Sequence, residues 1–248
     1  MQQEKTHTVS FAAYPQQMDC TGRLSLPMLV NALIDCAGIA AKANGFSIES
    51  LNAHGQTWVL SRLSIAMQHF PQAYECYRVQ TWIESCGLLA TTRNFRIMAA
   101  DDTEIGTACS LWSVINVQTR QPVNLSTFAP IHALSTGESV AIAKPIRIAE
   151  FAPAETERTH TVVYSDIDIN HHVNSTRYIE WMLDNCKMTQ FLNHRIITCQ
   201  LNYHHEAVLG DKVQIRSLQR DMQTFFYVVG TAQKLCSMRL TWAEKNER

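Results

Sequence analysis

An internal repeat constrains the fold of this chain more than any other feature of its sequence. The tripeptide His7-Thr8-Val9 is matched by His160-Thr161-Val162, and the same order of elements follows each copy. A strand-like start leads to an amphipathic helix, and four further strand-like runs come after the helix. The repeat therefore predicts two similar α+β units in tandem.

The first copy shows these elements clearly. A strand is predicted from about residue 6 to 14, and an amphipathic helix from Ser25 to Asn44. Ser25 can cap this helix, Pro27 lies in its first turn and Gly45 follows its end. The four strands that follow are predicted at residues 57–70, 74–86, 90–99 and 104–116.

The second copy begins after a segment rich in proline, alanine, serine and threonine. We predict an N-terminal domain at residues 1–128, a linker at 129–157 with a short strand at 140–148, and a C-terminal domain at 158–248. In that last domain a helix begins near Asn174 or Ser175, either of which is a competent cap. Four strands are then predicted at residues 196–207, 212–221, 224–232 and 236–245.

The run from Tyr164 to Ser175 holds the densest group of polar residues. If it is extended, one face carries the polar side chains of Asp166, Asp168, Asn170 and His172, and the opposite face carries Ile167 and Ile169. This polar row leads into a helix N-terminus, which favours an anion or a polarised carbonyl. The alternative is that these residues only cap the helix and form turns.

Comparison of the two copies distinguishes residues that maintain the fold from residues that could carry out a reaction. Aligning Asp19 with Asp168 places Thr21 where Asn170 stands and Arg23 where His172 stands. The first copy therefore lacks the polar row and cannot host the same chemistry. Because only the second half carries the polar row, we expect the site at the junction of the two halves, where the first half supplies a wall and a binding surface.

Composition narrows the class of protein further. A net charge of −1 over 248 residues gives no basic field for nucleic acid. The eight cysteines are scattered without a C-x-x-C pair, so we expect reduced thiols and neither a disulfide framework nor a zinc site. The polar N-terminus lacks the apolar core of a signal peptide, and we expect no stretch to approach the length of a membrane span. Together these features predict a cytoplasmic protein without membrane insertion.

Several separated motifs resemble the acyl-acyl-carrier-protein (acyl-ACP) thioesterase family of bacterial type, and they occur in the family's order over nearly the whole chain. They are Trp58-Val-Leu-Ser-Arg62, Arg93-Asn-Phe95, Ser110-Leu-Trp112, Asp166-Ile-Asp-Ile-Asn-His-His-Val-Asn174, Tyr178-Ile-Glu-Trp181 and Leu201-Asn-Tyr-His-His-Glu206. The resemblance implies a tandem double hotdog, in which each half is a long helix packed on an antiparallel sheet. It also implies hydrolysis of fatty acyl thioesters on acyl carrier protein, without a cofactor.

The family's catalytic residues fall on Asp168, Asn170, His172 and Glu206. We expect Glu206 to activate water, Asn170 and His172 to position the water and the carbonyl, and Asp168 to orient this pair or to share the water. Backbone N–H groups of residues 173–175 are the expected oxyanion donors. The family often has a cysteine after the glutamate, but Ala207 stands here and excludes that nucleophile.

Each of these expectations has an alternative. A strand residue near a turn, such as Glu206, is often only a solvated carboxylate. His204 is expected on the same strand face as Glu206, while His205 points away. The four neighbouring histidines lack an H-x-x-x-H pair, so we expect no metal. An acyl-coenzyme A thioesterase and a non-catalytic acyl-thioester binding protein are the alternative functions.

The resemblance also bears on partners. The acyl chain is expected between the helix of residues 26–43 and the strand that bears Trp58 and Leu60. An acidic carrier protein requires a basic docking patch, and a homodimer is left open because the duplication already supplies two halves. The candidate docking residues are Lys42, Arg62, Arg93, Arg96, Arg120 and Arg177.

Overall fold

The computed structural model describes residues 4–151 and 154–245. The first half contains β1 (Thr6–Ala12), α1 (Leu26–Ala43), α2 (Ile48–Asn52), β2 (Gln56–Met67), β3 (Cys76–Cys86), β4 (Thr91–Ala99) and β5 (Glu104–Asn116). A short helix, α3 (Ala129–Leu134), follows it. The second half contains β6 (Thr156–Thr161), α4 (Ser175–Leu183), α5 (Met188–Asn193), β7 (His194–Tyr203), β8 (Lys212–Arg220), β9 (Gln223–Val229) and β10 (Lys234–Glu244).

The strands form one ten-stranded antiparallel sheet in the order β1-β3-β4-β5-β2-β7-β10-β9-β8-β6. Each half contributes five adjacent strands in mirrored order, as a duplication requires. The halves join where β2 pairs with β7, with Leu63 opposite Leu201. The tandem double hotdog is thereby confirmed.

The helix α1 supplies much of the apolar core. Its observed bounds confirm the predicted helix to within one residue at each end. Leu29, Val30, Leu33 and Cys36 are buried on one stripe against the sheet, because they recur every three or four residues. The shorter helix α4 contacts α1, so one core extends through both halves.

We expected no stretch to approach the length of a membrane span, and this expectation about length is wrong for α1. This helix is long and apolar enough to cross a membrane by length and composition alone, and more than half of that stretch is buried within the fold. The same residues that raise its hydropathy are those that pack on the sheet.

The connecting segment packs in two ways: Ile131 and Leu134 of α3 cluster with Ala41 of α1, while residues 138–148 bond side chains on the opposite face of the sheet. Trp82 Nε1 donates to the carbonyl of Glu138 (2.9 Å), and the side chain of Asn202 bonds the backbone of Ile146 and Ile148 (3.0 and 2.9 Å). The predicted strand at residues 140–148 is wrong, because no strand forms there. The backbone of this segment bonds side chains of the sheet instead of a strand edge.

Candidate active site

The loop from Ile167 to Val173 is wrapped around one carboxylate. Asp168 Oδ1 accepts from the backbone N–H of Asn170 (2.8 Å) and of His172 (3.4 Å), and the Asp168 N–H donates to the His172 carbonyl (2.8 Å). His171 takes a φ of 62°, which reverses the chain. Asp168 therefore fixes the backbone of two other residues of the predicted set, Asn170 and His172.

The predicted extended row is wrong. Residues 164–166 form a single turn of 3-10 helix, and Asp166 is buried and bonds His160 Nε2 (2.9 Å) and the N–H of Val163 (2.8 Å). Ile169, expected on an apolar face, is 88% exposed. The tight loop turns Asp166 away from the other three polar residues because the side-chain alternation of a strand is lost.

The N-terminus of α4 lies beside this loop. Asn174 caps the helix by accepting from the Thr176 N–H (3.0 Å), as predicted. The N–H of Val173 donates to the Ala207 carbonyl (2.9 Å), and that of Asn174 donates to the Asp166 carbonyl (2.8 Å). These two groups are engaged, so the expectation that they serve as oxyanion donors is wrong, and Ser175 is the helix-terminal residue that lines the cleft.

Glu206 follows the end of β7 and lies next to this loop. Its Oε2 is 3.4 Å from His172 Nε2, and the same carboxylate forms an ion pair with Arg120. The next residue anchors it, since the Ala207 N–H donates to the Tyr178 hydroxyl (3.0 Å). Burial raises the pKa of that tyrosine well above its ordinary value, so it remains a neutral hydroxyl.

The histidines beside Glu206 are arranged differently from the prediction. The strand ends at Tyr203, and the N–H groups of His204 and His205 both point at the Leu235 carbonyl. His204 Nε2 then bonds Ser237 Oγ (3.0 Å), while His205 lines the cleft. The alternation expected for an extended strand fails because the strand stops before residue 204.

Both halves line the cleft that holds these groups, which has a volume of about 510 Å³. Asp168, Asn170, His172 and Glu206 all border it from the second half. The first half contributes Trp58, Leu60, Trp112, Gln118 and Arg120, among others. The cleft therefore lies at the junction of the two repeats.

Arg120 is the site residue that the sequence reasoning missed, because it was assigned only to a docking surface. It follows β5 in a turn where its φ is 58°, and its N–H donates to the Asn116 carbonyl (2.9 Å). Nothing in the sequence connects this turn with Glu206, which lies 86 positions later. Among the other docking candidates, Arg93 is wrong because its side chain is buried.

A smaller apolar cavity of about 90 Å³ lies in the first half, between α1 and the sheet. Ile34, Trp58 and Trp112 border both this cavity and the cleft. The indole N–H of Trp58 donates to the Phe46 carbonyl (2.9 Å), and that of Trp112 donates to Ser110 Oγ (2.8 Å). Because both indole N–H groups are already hydrogen-bonded, the two tryptophans present apolar ring surface between the cavity and the cleft.

In residues 4–151 and 154–245, no group of three or more His, Cys, Asp or Glu side chains is arranged to hold a metal ion. The polar groups that line the cleft include carboxylates, imidazoles, amides and one guanidinium.

Two family models match the chain consecutively. Residues 4–127 match the acyl-ACP thioesterase N-terminal domain, and residues 150–244 match the C-terminal domain of the same family. The chain belongs to the acyl-ACP thioesterase family. The resemblance seen in the motifs is thus confirmed.

Solved structures agree with this assignment. An acyl-ACP thioesterase from Bacteroides thetaiotaomicron is 36% identical and superposes with a TM-score of 0.88, covering 96% of this chain and 98% of that one. A 12:0-ACP thioesterase from Umbellularia californica has a TM-score of 0.87 at 19% identity, over 98% of each chain, and shows the shared fold.

Curated plant members of the acyl-ACP thioesterase family are more distant. The chloroplastic oleoyl-acyl carrier protein thioesterase of Coriandrum sativum is 28% identical over 75% of this chain and 55% of its own length. The dodecanoyl-[acyl-carrier-protein] hydrolase of Cinnamomum camphora is 24% identical over 71% of this chain and 48% of its own length. The chain thus spans about half the length of these curated relatives.

Proposed function

We propose that this protein hydrolyses fatty acyl thioesters of acyl carrier protein and releases free fatty acid. The observation that carries the proposal is the Glu206 carboxylate 3.4 Å from the His172 imidazole, in a cleft that adjoins an apolar cavity. Membership of the acyl-ACP thioesterase family supports the same reaction.

In the proposed mechanism, Glu206 accepts a proton from water as the water oxygen attacks the thioester carbonyl carbon. The C–S bond then breaks, and the proton passes to the departing phosphopantetheine thiolate. A thiol of pKa about 8.5 is a good leaving group, so its protonation is secondary. The larger demands are activation of water and stabilisation of the oxyanion.

The remaining polar residues have supporting roles. Asn170 and His172 border the cleft and offer N–H donors for the water and the carbonyl oxygen. Asp168 holds the backbone of both through the hydrogen bonds to its Oδ1, so its role is to orient them. Ser175, at the N-terminus of α4, adds the positive end of the helix dipole.

The acyl chain is proposed to pass between Ile34, Trp58 and Trp112 into the apolar cavity under α1. Ile34 lies on α1, and Trp58 and Trp112 lie on β2 and β5. Their apolar surfaces favour transfer of an acyl chain out of water. In this arrangement the first half binds the chain and the second half performs the chemistry. We propose residues 1–128 and 158–248 as the corresponding domains, joined by residues 129–157.

A time course of free-acid release tests the proposal. The same acyl groups are offered on acyl carrier protein and on coenzyme A at equal concentration. We expect a higher kcat/KM with the carrier protein. Preference for coenzyme A would instead favour an acyl-CoA thioesterase, and absence of turnover on both would favour a non-catalytic binding protein.

We also propose that the protein is located in the cytoplasm and that two copies of it form a homodimer. All eight cysteines are free in the structure, which suits a reducing compartment. Tyr164, Ile169 and Leu209 are large apolar side chains exposed beside the candidate site, and such surfaces mark contacts with other proteins. Analytical ultracentrifugation of the isolated chain would show whether one such contact is with a second copy.

A further inference from the structure

A hydrogen-bonded pair of ionisable side chains lies at the base of the loop that carries the candidate catalytic residues. Asp166 is buried, and its Oδ2 accepts from His160 Nε2 (2.9 Å) and from the Val163 N–H (2.8 Å). His160 belongs to β6, and its ring packs on that of Trp181 in α4, with 4.6 Å between the ring centroids. Neither Asp166 nor His160 lines the cleft, so the proposed mechanism gives this pair no role.

The backbone of Asp166 closes the base of the same loop. Its carbonyl accepts from the Asn174 N–H (2.8 Å), and Ile167 pairs with Val173 in an isolated β-bridge. Residues 168–172, which include three of the four candidate catalytic residues, lie between these closing contacts. The placement of the loop relative to β6 and α4 therefore depends on what holds Asp166.

The first copy contains the same kind of loop with a neutral residue at this position. In the alignment of the two copies, Gln17 takes the place of Asp166. The Gln17 Oε1 accepts from the Tyr14 N–H (2.9 Å), and the Gln17 carbonyl accepts from the Ser25 N–H (3.0 Å). A neutral side chain is therefore sufficient to cap the turn and to close the loop.

The partner of Asp166 is also specific to the second copy. The 3-10 turns at residues 15–17 and 164–166 keep the same register, so the structural counterpart of His160 is Phe11 and not His7. A pair of ionisable groups with a buried carboxylate is often less stabilising than neutral side chains in its place, because charge must leave water. Only the copy that carries the polar row contains the pair, which points to a role in the site and not in the fold.

We propose that His160 and Asp166 are positioning residues, whose hydrogen bond holds the loop so that the His172 imidazole stays within reach of Glu206. This inference rests on the proposed function, since it assigns the reaction to that site. The bonds of Gln17 run within its turn and loop, whereas the Asp166 carboxylate also bonds β6. Because hydrogen bonds to a carboxylate are stronger than those between neutral groups, this extra bond limits movement of the loop.

The test is the substitution Asp166→Gln, which copies the first half and keeps a side chain that can cap the turn. Wild-type and variant proteins are compared in steady-state kinetics with an acyl carrier protein substrate. We expect kcat to fall by about ten- to a hundredfold with KM little changed, because the loop that bears His172 is less firmly placed. His160→Phe, which copies Phe11, should have the same effect.

A second readout separates positioning from a general structural role. In a His172→Ala background, Asp166→Gln should lower kcat/KM by less than about twofold, because the group that the pair positions is already absent. A loss by the same factor in both backgrounds would overturn the inference. If Asp166→Gln does not fold, the double variant Asp166→Gln/His160→Phe reproduces the arrangement of the first copy and replaces it in both measurements.

Arg158→Met is the matched control. Arg158 also lies on β6 and pairs with Asp184 at the end of α4 (3.9 Å), but both of these side chains are exposed. Its removal breaks a contact between the same two elements and should leave kcat unchanged. Thermal denaturation of every variant shows which of them are folded.

Wild-type kcat in the folded Asp166→Gln and His160→Phe proteins would overturn the inference, even if the wild-type protein hydrolyses its substrates as proposed. If the wild-type protein hydrolyses no acyl thioester, the proposed function fails, and hydrogen exchange of the loop still tests the pair. In that measurement, the amides of residues 167–173 should exchange faster in Asp166→Gln than in wild type and in Arg158→Met. Equal exchange rates in the three proteins would contradict the inference.

Discussion

At the scale of single residues, the sequence located the polar groups of the candidate site but not their arrangement. Asp168, Asn170, His172 and Glu206 border one cleft, as their motifs predict. The burial of Asp166 was not predictable, because a 3-10 turn at residues 164–166 replaces the expected extended strand and lets Asp166 bond His160. Neither was the ion pair of Arg120 with Glu206, since a contact between two distant loops leaves no periodic signal.

The Arg120 ion pair leads to the first prediction at this scale. If Glu206 is the base, Arg120 holds its carboxylate in position from the opposite half of the molecule. For Arg120→Met we expect kcat to fall by about ten- to a hundredfold with KM little changed, because misplacing a catalytic group costs that much. Steady-state kinetics with an acyl carrier protein substrate measures both constants.

Arg78→Met is the control for Arg120→Met, since Arg78 forms a comparable ion pair with Asp102 far from the cleft. It should leave kcat unchanged. Equal kcat values for wild-type and Arg120→Met proteins would exclude a role of this ion pair in positioning Glu206.

At the scale of elements, the hydrophobic pattern predicted the strands and the helices α1 and α4, but it missed the short helices α2, α3 and α5. Errors in the bounds fell where chain ends or loops decide. The bounds of α1 were predicted to within one residue. The strand β7 ends at Tyr203 and not at residue 207, and β9 ends at Val229 and not at 232. Residues 204–207 (His-His-Glu-Ala) and 230–232 (Gly-Thr-Ala) lie beyond the last paired strand residues, and where the pairing stops depends on the neighbouring strand.

Gly38 gives the prediction at this scale. It lies inside α1 and borders the apolar cavity, and a Cβ built on it meets no atom within 4 Å. For Gly38→Ala we expect the free energy of unfolding to rise by about 0.5–1 kcal/mol, because alanine favours a helix over glycine. Its methyl group should also enter the cavity and lower turnover of the longest accepted acyl chains.

Thermal denaturation and the chain-length profile together check Gly38→Ala. Gly45→Ala is the control of opposite sign, because Gly45 ends the same helix with a φ of +83° and alanine is strained there. A Gly38→Ala protein that is no more stable than wild type would show that this position is already constrained by packing.

At the scale of the whole molecule, the duplication allowed the two-domain organisation to be predicted from the sequence. The way in which the two halves join could not be predicted. The mirrored strand order follows from repeating one fold, but the β2–β7 pairing that makes one sheet is a contact between copies. The connecting segment was expected to be a loose linker, and it bonds the outer face of the sheet. Such contacts depend on tertiary partners that composition does not encode.

Lys144 provides the prediction at this scale, because it fixes the connecting segment to Glu84 of β3 (2.6 Å). Burial alone would raise the pKa of Glu84, but hydrogen bonds from Lys144 and Asn94 lower it below the ordinary value. For Lys144→Met we expect the free energy of unfolding to fall near neutral pH by more than it does for loss of an exposed ion pair, since the buried carboxylate loses one partner.

The pH dependence of this loss has a definite sign. A carboxylate with a lowered pKa stabilises the fold above its unfolded pKa, and this stability is lost as the pH falls through its folded pKa. The difference between wild type and Lys144→Met should therefore shrink in acid, as urea denaturation at several pH values would show. Lys42→Met removes an exposed partner of Glu49 and should change stability by less than about 0.5 kcal/mol.

The central claim is that Glu206 and His172, which the fold brings to 3.4 Å from different loops, act as one catalytic unit. The most direct measurement is kcat/KM for an acyl carrier protein substrate in wild type, Glu206→Gln, His172→Ala and the double variant. We predict that each single substitution lowers kcat/KM by about a thousandfold and that the double variant is hardly worse, because groups acting as a unit are not additive. Strictly multiplicative losses, or near-wild-type turnover by either folded single variant, would contradict the claim.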